Sequence, residues 1–135
     1  MNNSVKLAIF GYLSLLLKSF PLYAHGEDKP GPHGGYIRMP GTFHTEVVPN
    51  GKKSIKIYLV DLNFKNPATL SSKIKGWIKQ NDKSSDIVCE AKRDFFKCEL
   101  PVGFSLENGL LEVTANRMGA SGVPVQYKLP LRFSK

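Results

Sequence analysis

Short segments in which apolar and polar residues alternate, separated by turn residues, run through this chain from residue 42 to residue 131. Alternation with a period of two is typical of β-strands that bury one face. About seven such segments follow one another with no helical pattern between them. The sequence therefore predicts an all-β protein, an antiparallel immunoglobulin-like β-sandwich, with a small barrel as the alternative. The predicted strands are 42–48, 54–61, 72–79, 86–89, 95–100, 110–115 and 123–131. The predicted core is Ile55, Ile57, Leu59, Trp77, Ile87, Phe96, Leu111, Val113, Val125, Tyr127 and Leu129.

The N-terminal segment has the layout of a secretory signal peptide. Lys6 precedes an apolar run over residues 7–17, and residues 19–24 end in the small residue Ala24. The run is shorter than the roughly 20 apolar residues that a membrane-spanning helix needs. We therefore expect residues 1–24 to be removed and the protein to be exported to the bacterial periplasm, with an extracellular location also open. An uncleaved anchor is the alternative; otherwise no stable membrane span is expected.

The two cysteines fit an exported protein. A two-residue turn at Arg93 and Asp94 would place Cys89 opposite Cys98 in a β-hairpin. In that register both sulfurs lie at one rung of the ladder, so the sequence predicts a structural disulfide. A metal-binding cysteine pair is the alternative, and the wide spacing without a nearby histidine disfavours it.

The chain has a formal net charge of +8, but its lysines are dispersed along the predicted strands. No dense basic run and no aromatic RNA-reading motif accompanies them, so nucleic acid is not expected as a partner. In an exported protein, dispersed lysines are typical of a solvated face, which can also lie against anionic lipid or cell-wall polymer.

All three histidines lie within one window of twenty residues, as His25, His33 and His44. His25 and His33 belong to a Gly- and Pro-rich stretch, 25–35, which we predict to be a flexible arm ahead of a β-sandwich domain over 36–135. His44 and Glu46 project from one face of a strand, because alternate residues share a face. If the arm folds over that face, the four side chains His25, His33, His44 and Glu46 form a candidate metal site for a copper or zinc ion.

Cleavage after Ala24 would make His25 the first residue of the mature protein. Its α-amine and imidazole would then chelate divalent copper, with His33 or His44 as the second imidazole ligand. Met39 could add a thioether that favours reduced copper. Solvated histidines in a polar arm, with His44 and Glu46 an ordinary strand pair, are the alternative.

The stretch from Gly31 to Val48, GPHGGYIRMPGTFHTEVV, resembles a Gly-Pro-x-Gly-Gly … Glu-Val motif. That motif belongs to a domain associated with periplasmic adaptor subunits of heavy-metal efflux systems, which also occurs as separate exported proteins. The resemblance implies a small periplasmic β-sandwich whose metal-related role maps to His25, His33, His44 and Glu46. It also implies a component of a metal-efflux system as partner. The chain lacks the coiled-coil hairpin and lipoyl-like domain of a full adaptor.

No serine elbow and no complete triad is visible, so the sequence does not predict an enzyme. Two hypotheses remain. The first is a periplasmic copper- or zinc-binding protein, a carrier or accessory for metal efflux or resistance. The second is a non-catalytic envelope interaction module in which the histidines are incidental.

Overall fold

A computed structural model describes residues 29–133, and all regular secondary structure in this range is β-strand. The strands are β1 (Tyr36–Arg38), β2 (His44–Pro49), β3 (Ser54–Val60), β4 (Lys73–Gln80), β5 (Lys83–Ala91), β6 (Phe96–Glu99), β7 (Gly109–Arg117), β8 (Ala120–Ser121) and β9 (Val125–Leu129). Every predicted segment overlaps one of them, and each pairing is antiparallel. The all-β, antiparallel prediction is confirmed. The two unpredicted strands, β1 and β8, have three and two residues, too few to show an alternating pattern.

The strands are hydrogen-bonded in the order β1-β2-β3-β6-β5-β4-β7, and β8 and β9 both pair with the far edge of β7. Strand β5 links the two halves, because its first part pairs with β4 and its last part with β6. The two ends of this order approach each other. The Tyr36 hydroxyl donates to the Leu131 carbonyl at 3.0 Å, and Arg38 Nε donates to the Gln126 carbonyl at 3.0 Å. The sheet is therefore nearly closed on itself.

The cysteine hairpin has the register predicted from its turn. Cys89 lies opposite Cys98 across β5 and β6, and the two form a disulfide. The turn closes with a hydrogen bond of 2.8 Å from the Lys92 amide to the Phe95 carbonyl. A two-residue turn fixes which residues face each other, and this is why the local sequence is sufficient to predict the register of the hairpin.

The interior is filled by the inward-facing side chains of both halves, including Ile57 and Tyr127 at 0% exposure. All the predicted core residues are buried except Val125, which packs partly buried against the core, and Trp77. The prediction for Trp77 is wrong. Ile78 and Gly76 face inward, so the pleat of β4 turns Trp77 to the outer face, where Nε1 donates to Glu112 Oε1 at 2.7 Å.

Candidate functional site

Residues 31–35, the end of the Gly- and Pro-rich stretch, fold against the outer face of β2. Within it, the Gly31 amide donates to the Gly35 carbonyl and the Gly34 amide donates to the Gly31 carbonyl, both at 2.9 Å. Gly34 has φ of 76°, a conformation that glycine adopts without steric cost. Residues 31–35 therefore form a hydrogen-bonded loop, and we call this segment the histidine loop.

Glu46 of β2 is the anchor of the histidine loop. Its side chain is fully buried, with an exposed fraction of 0%, and both carboxylate oxygens accept hydrogen bonds from the loop. Oε1 accepts from the amides of His33 at 2.8 Å and Gly35 at 2.9 Å, and Oε2 pairs with His33 Nδ1 at 2.7 Å. A buried carboxylate is costly unless it is paired and hydrogen-bonded, and these three contacts meet that requirement.

Two glycines let the loop approach the carboxylate this closely. A Cβ atom added to Gly31 would lie 2.5 Å from the carboxyl carbon of Glu46. A Cβ atom added to Gly35 would lie 2.6 Å from the Val47 carbonyl oxygen, a backbone atom that cannot simply rotate away. Glycines 31 and 35 of the Gly-Pro-x-Gly-Gly motif therefore have a packing role around Glu46.

The imidazole of His33 is held on two sides. Nδ1 contacts the Glu46 carboxylate, and the ring stacks on Tyr58 of β3 with centroids 3.7 Å apart and planes 6° apart. An ionised carboxylate can only accept a hydrogen bond, so Nδ1 is the donor in this pair, and in the neutral ring Nε2 then carries the lone pair. Nε2 has no hydrogen-bond partner within residues 29–133, and the side chain is 32% exposed. The arrangement presents one oriented imidazole nitrogen.

Tyr58 lies opposite Glu46 in the β2–β3 ladder, and its ring stacks against the imidazole of His33. Burial raises the pKa of the Tyr58 hydroxyl above its usual value, and the negative charges of Glu46 and Asp94 raise it further. Tyr58 was not among the predicted site residues. Its alternation with the buried Ile57 and Leu59 marks it as outward-facing, but nothing in the sequence places it beneath a histidine.

His44 shares the outer face of β2 with Glu46, as predicted, but it is held by different contacts. The ring is buried at 4% exposure, stacks on Phe64 at 4.3 Å, and places Nδ1 3.1 Å from the Asp61 carbonyl oxygen. His33 and Glu46 are thus brought together, whereas His44 packs under the loop after β3. Across the described range, no group of three His, Cys, Asp or Glu side chains is arranged to hold a metal ion.

The loop that covers His44 is organised by Asp61. Its carboxylate accepts hydrogen bonds from the amides of Asn63 and Lys65 at 2.9 Å and from Asn66 Nδ2 at 2.7 Å. These bonds, the one from Lys65 first, lower the pKa of Asp61 below its usual value. The loop positions Phe64 over the histidine ring and was not recognised in the sequence.

The remaining sequence predictions concern His25, the signal peptide and Met39. His25 and the predicted signal peptide over 1–24 lie outside the described residues, and Met39 is an exposed residue at 46%. Within residues 29–133 no helix is long and apolar enough to cross a membrane.

Comparisons with protein families, with curated proteins and with solved structures found no match.

Proposed function

We propose that this chain is an exported, periplasmic protein that binds a copper or zinc ion at the Nε2 atom of His33 and serves as a carrier or accessory for metal efflux or resistance. The observation that carries the proposal is the contact of 2.7 Å between His33 Nδ1 and the buried Glu46 carboxylate. Histidines that bind metal ions commonly donate the other ring N–H to a carboxylate. The carboxylate fixes the tautomer and orientation of the ring and makes the ligand nitrogen more basic.

In this proposal Glu46 positions the ligand and does not itself bind the ion. Both of its oxygens are occupied by the histidine loop, and its side chain has no exposed surface. The further ligands come from the residues ahead of the loop. His25 precedes His33 by eight residues. At about 3.3–3.6 Å per extended residue, that length of chain is sufficient to return to the ring. An N-terminal His25 would add an amine and an imidazole nitrogen, which suit copper.

The proposal assigns His44 to folding and not to metal binding, because stacking on Phe64 and the contact with the Asp61 carbonyl occupy its ring. It also includes two finer inferences from the sequence. The fold is an immunoglobulin-like sandwich, supported by the division of the ladders into two halves that share β5. The partner is a metal-efflux component, supported by the Gly-Pro-x-Gly-Gly … Glu-Val resemblance alone.

Calorimetric titration of the secreted form with Zn(II) and, separately, Cu(II) tests the proposal. Mass spectrometry first establishes which residue begins the secreted chain. We expect saturable uptake of one ion, abolished by His33→Gln. An additional methionine ahead of His25 weakens copper binding if the α-amine is a ligand. The absence of saturable uptake of either ion, or wild-type affinity in His33→Gln, would overturn the proposal.

The variant Glu46→Gln gives the sharper comparison. Gln can still accept the two backbone amides through its carbonyl oxygen, while its NH₂ group donates to His33 Nδ1. The ring must then carry its proton on Nε2, so we expect a fold that persists and a metal affinity about 10–100-fold lower. Glu90→Gln removes an exposed carboxylate paired with Lys92 and is the matched control, with unchanged affinity expected.

A second candidate function is an envelope interaction module with incidental histidines. It is favoured by the completeness of the Glu46 contacts, which account for the histidine loop without any metal ion. In that case the variants of His33 and Glu46 lower the stability of the fold, and the wild-type protein shows no saturable metal uptake.

A further inference from the structure

The outer face of β4 carries a row of three lysines and one tryptophan, and the tryptophan lies between the second and the third lysine. Lys73, Lys75, Trp77 and Lys79 all lie on this face, since alternate strand residues share a face. The three lysines are exposed and Trp77 is half-buried. We call this surface the tryptophan face. It lies in the β4, β5, β7 and β9 half, away from the histidine loop on β2.

The rung that contains Trp77 crosses four strands. Asp86 of β5 and Glu112 of β7 lie directly opposite Trp77 on its two sides, and Gln126 of β9 lies opposite Glu112. Glu112 accepts from Trp77 Nε1 at 2.7 Å and from Gln126 Nε2 at 3.2 Å. These bonds hold the indole ring against Glu112, and Asp86 lies on its other side. Trp77 thus provides one apolar platform, with the hydrogen-bonding side chains of Asp86 on one side and of Glu112 and Gln126 on the other.

Positive charge borders this rung. Lys75 and Lys79 lie two residues before and two residues after Trp77 on β4. Lys128 of β9 lies on the same rung as Lys79, with Leu110 of β7 between them. None of these three ammonium groups is in an ion pair with another described residue. A cavity of about 490 Å³ opens beside the indole, lined by Trp77, Lys79, Ser84, Ser85 and Asp86. Its volume falls in the range of about 300–1,000 Å³ that is usual for small-molecule sites.

We infer that the tryptophan face binds an acidic oligosaccharide that carries uronic-acid carboxylates. The C–H groups on one face of a sugar ring are attracted to the negatively polarised face of the indole. Hydroxyl groups at the ring edge donate to Asp86 and Glu112 and accept from the amide of Gln126. The sugar carboxylates pair with Lys75 and Lys79, which otherwise lack an anionic partner within the described range.

The same side chains argue against two other occupants. A single-stranded nucleic acid needs several aromatic platforms for successive bases, whereas this face has one. A stable protein partner usually covers an apolar centre. The nearest neighbours of Trp77 along and across the strands are instead charged, namely Lys75, Lys79, Asp86 and Glu112. The inference is independent of metal binding, since neither His33 nor Glu46 contributes to this face.

Fluorescence titration of the secreted protein tests the inference, because Trp77 is the only tryptophan of the chain. The ligands are tetragalacturonate, the neutral maltotetraose and a single-stranded oligo-dT. We expect a saturable change in emission with tetragalacturonate that is at least tenfold weaker with either of the other two ligands. An absent response, equal binding of the neutral sugar, or preference for oligo-dT would each overturn the inference.

Variants then separate a built site from general attraction to positive charge. Lys75→Gln and Lys79→Gln should each weaken tetragalacturonate binding severalfold, and Trp77→Ala should abolish it when measured by calorimetry. Lys65→Gln removes the same charge from an exposed loop after β3 and should change nothing. Equal losses in Lys65→Gln and Lys79→Gln would contradict the inference. If Trp77→Ala does not fold, the comparison between the lysine variants still decides.

Discussion

Replacing Glu46 by alanine should destabilise the fold far more than replacing an exposed carboxylate. The change removes the acceptor of three hydrogen bonds, from the amides of His33 and Gly35 and from His33 Nδ1. Hydrogen bonds to a charged group contribute about 1.5–3 kcal/mol each, and a buried donor left without an acceptor costs about 1–3 kcal/mol. Water can reach the part-buried His33 amide after the change, so the terms do not add fully. We expect a loss of about 3–5 kcal/mol, which is less than the sum of three full contributions.

Urea unfolding followed by circular dichroism measures this loss. A domain of ordinary stability unfolds with about 5–15 kcal/mol, so the variant should lose a large fraction of its stability. The cycle with His33→Ala and the double variant should give a coupling free energy of about 0.5–3 kcal/mol. Glu90→Ala, at a surface ion pair, is the control and should change little. A loss below about 1 kcal/mol in Glu46→Ala would refute the idea that this carboxylate anchors the histidine loop.

Three further predictions concern the disulfide and two ionisable groups. Replacing Cys89 and Cys98 together by alanine should cost about 2–3 kcal/mol in urea unfolding, because the closed loop is short. Asp61→Asn should destabilise at pH 7, since the lowered pKa of Asp61 means that folding favours its ionised form. That difference should begin to shrink as pH falls below about 3.8 and vanish as pH falls through the lowered pKa, in a series of unfolding curves from pH 7 downwards. Asp94→Asn should lower the raised pKa of Tyr58 in an NMR titration, while burial keeps it above 10.0.

The parts of the fold that local pattern determines were predictable. The hairpin of Cys89 and Cys98 follows from a two-residue turn, and the strands follow from alternation. Trp77 shows the limit of that reasoning. Its large apolar ring suggested a core position, but the sequence around it offers Gly76 and Ile78 to the interior, and one strand cannot direct neighbouring residues to the same face.

The site was predictable only as a set of residues. The sequence indicated that His44 and Glu46 share a face and that His33 belongs to a segment able to fold over it, and the structure brings His33 to Glu46. Nothing in the sequence indicates that the carboxylate is buried or that His44 stacks on Phe64, because both depend on contacts between distant segments. The Gly- and Pro-rich composition indicated only a flexible arm, whereas Gly35 is required by its close approach to the Val47 carbonyl.

The protonation state of His33 tests the central claim most directly, because metal binding at Nε2 requires that Glu46 holds the proton on Nδ1. Long-range ¹H–¹⁵N correlation spectra of the secreted protein, recorded at neutral pH before and after addition of Zn(II), report the state of both ring nitrogens. We expect the Nδ1–H tautomer in the metal-free protein and a selective shift of the Nε2 resonance that saturates at one equivalent. A proton on Nε2 in the metal-free protein, or spectra that Zn(II) leaves unchanged, would contradict the account.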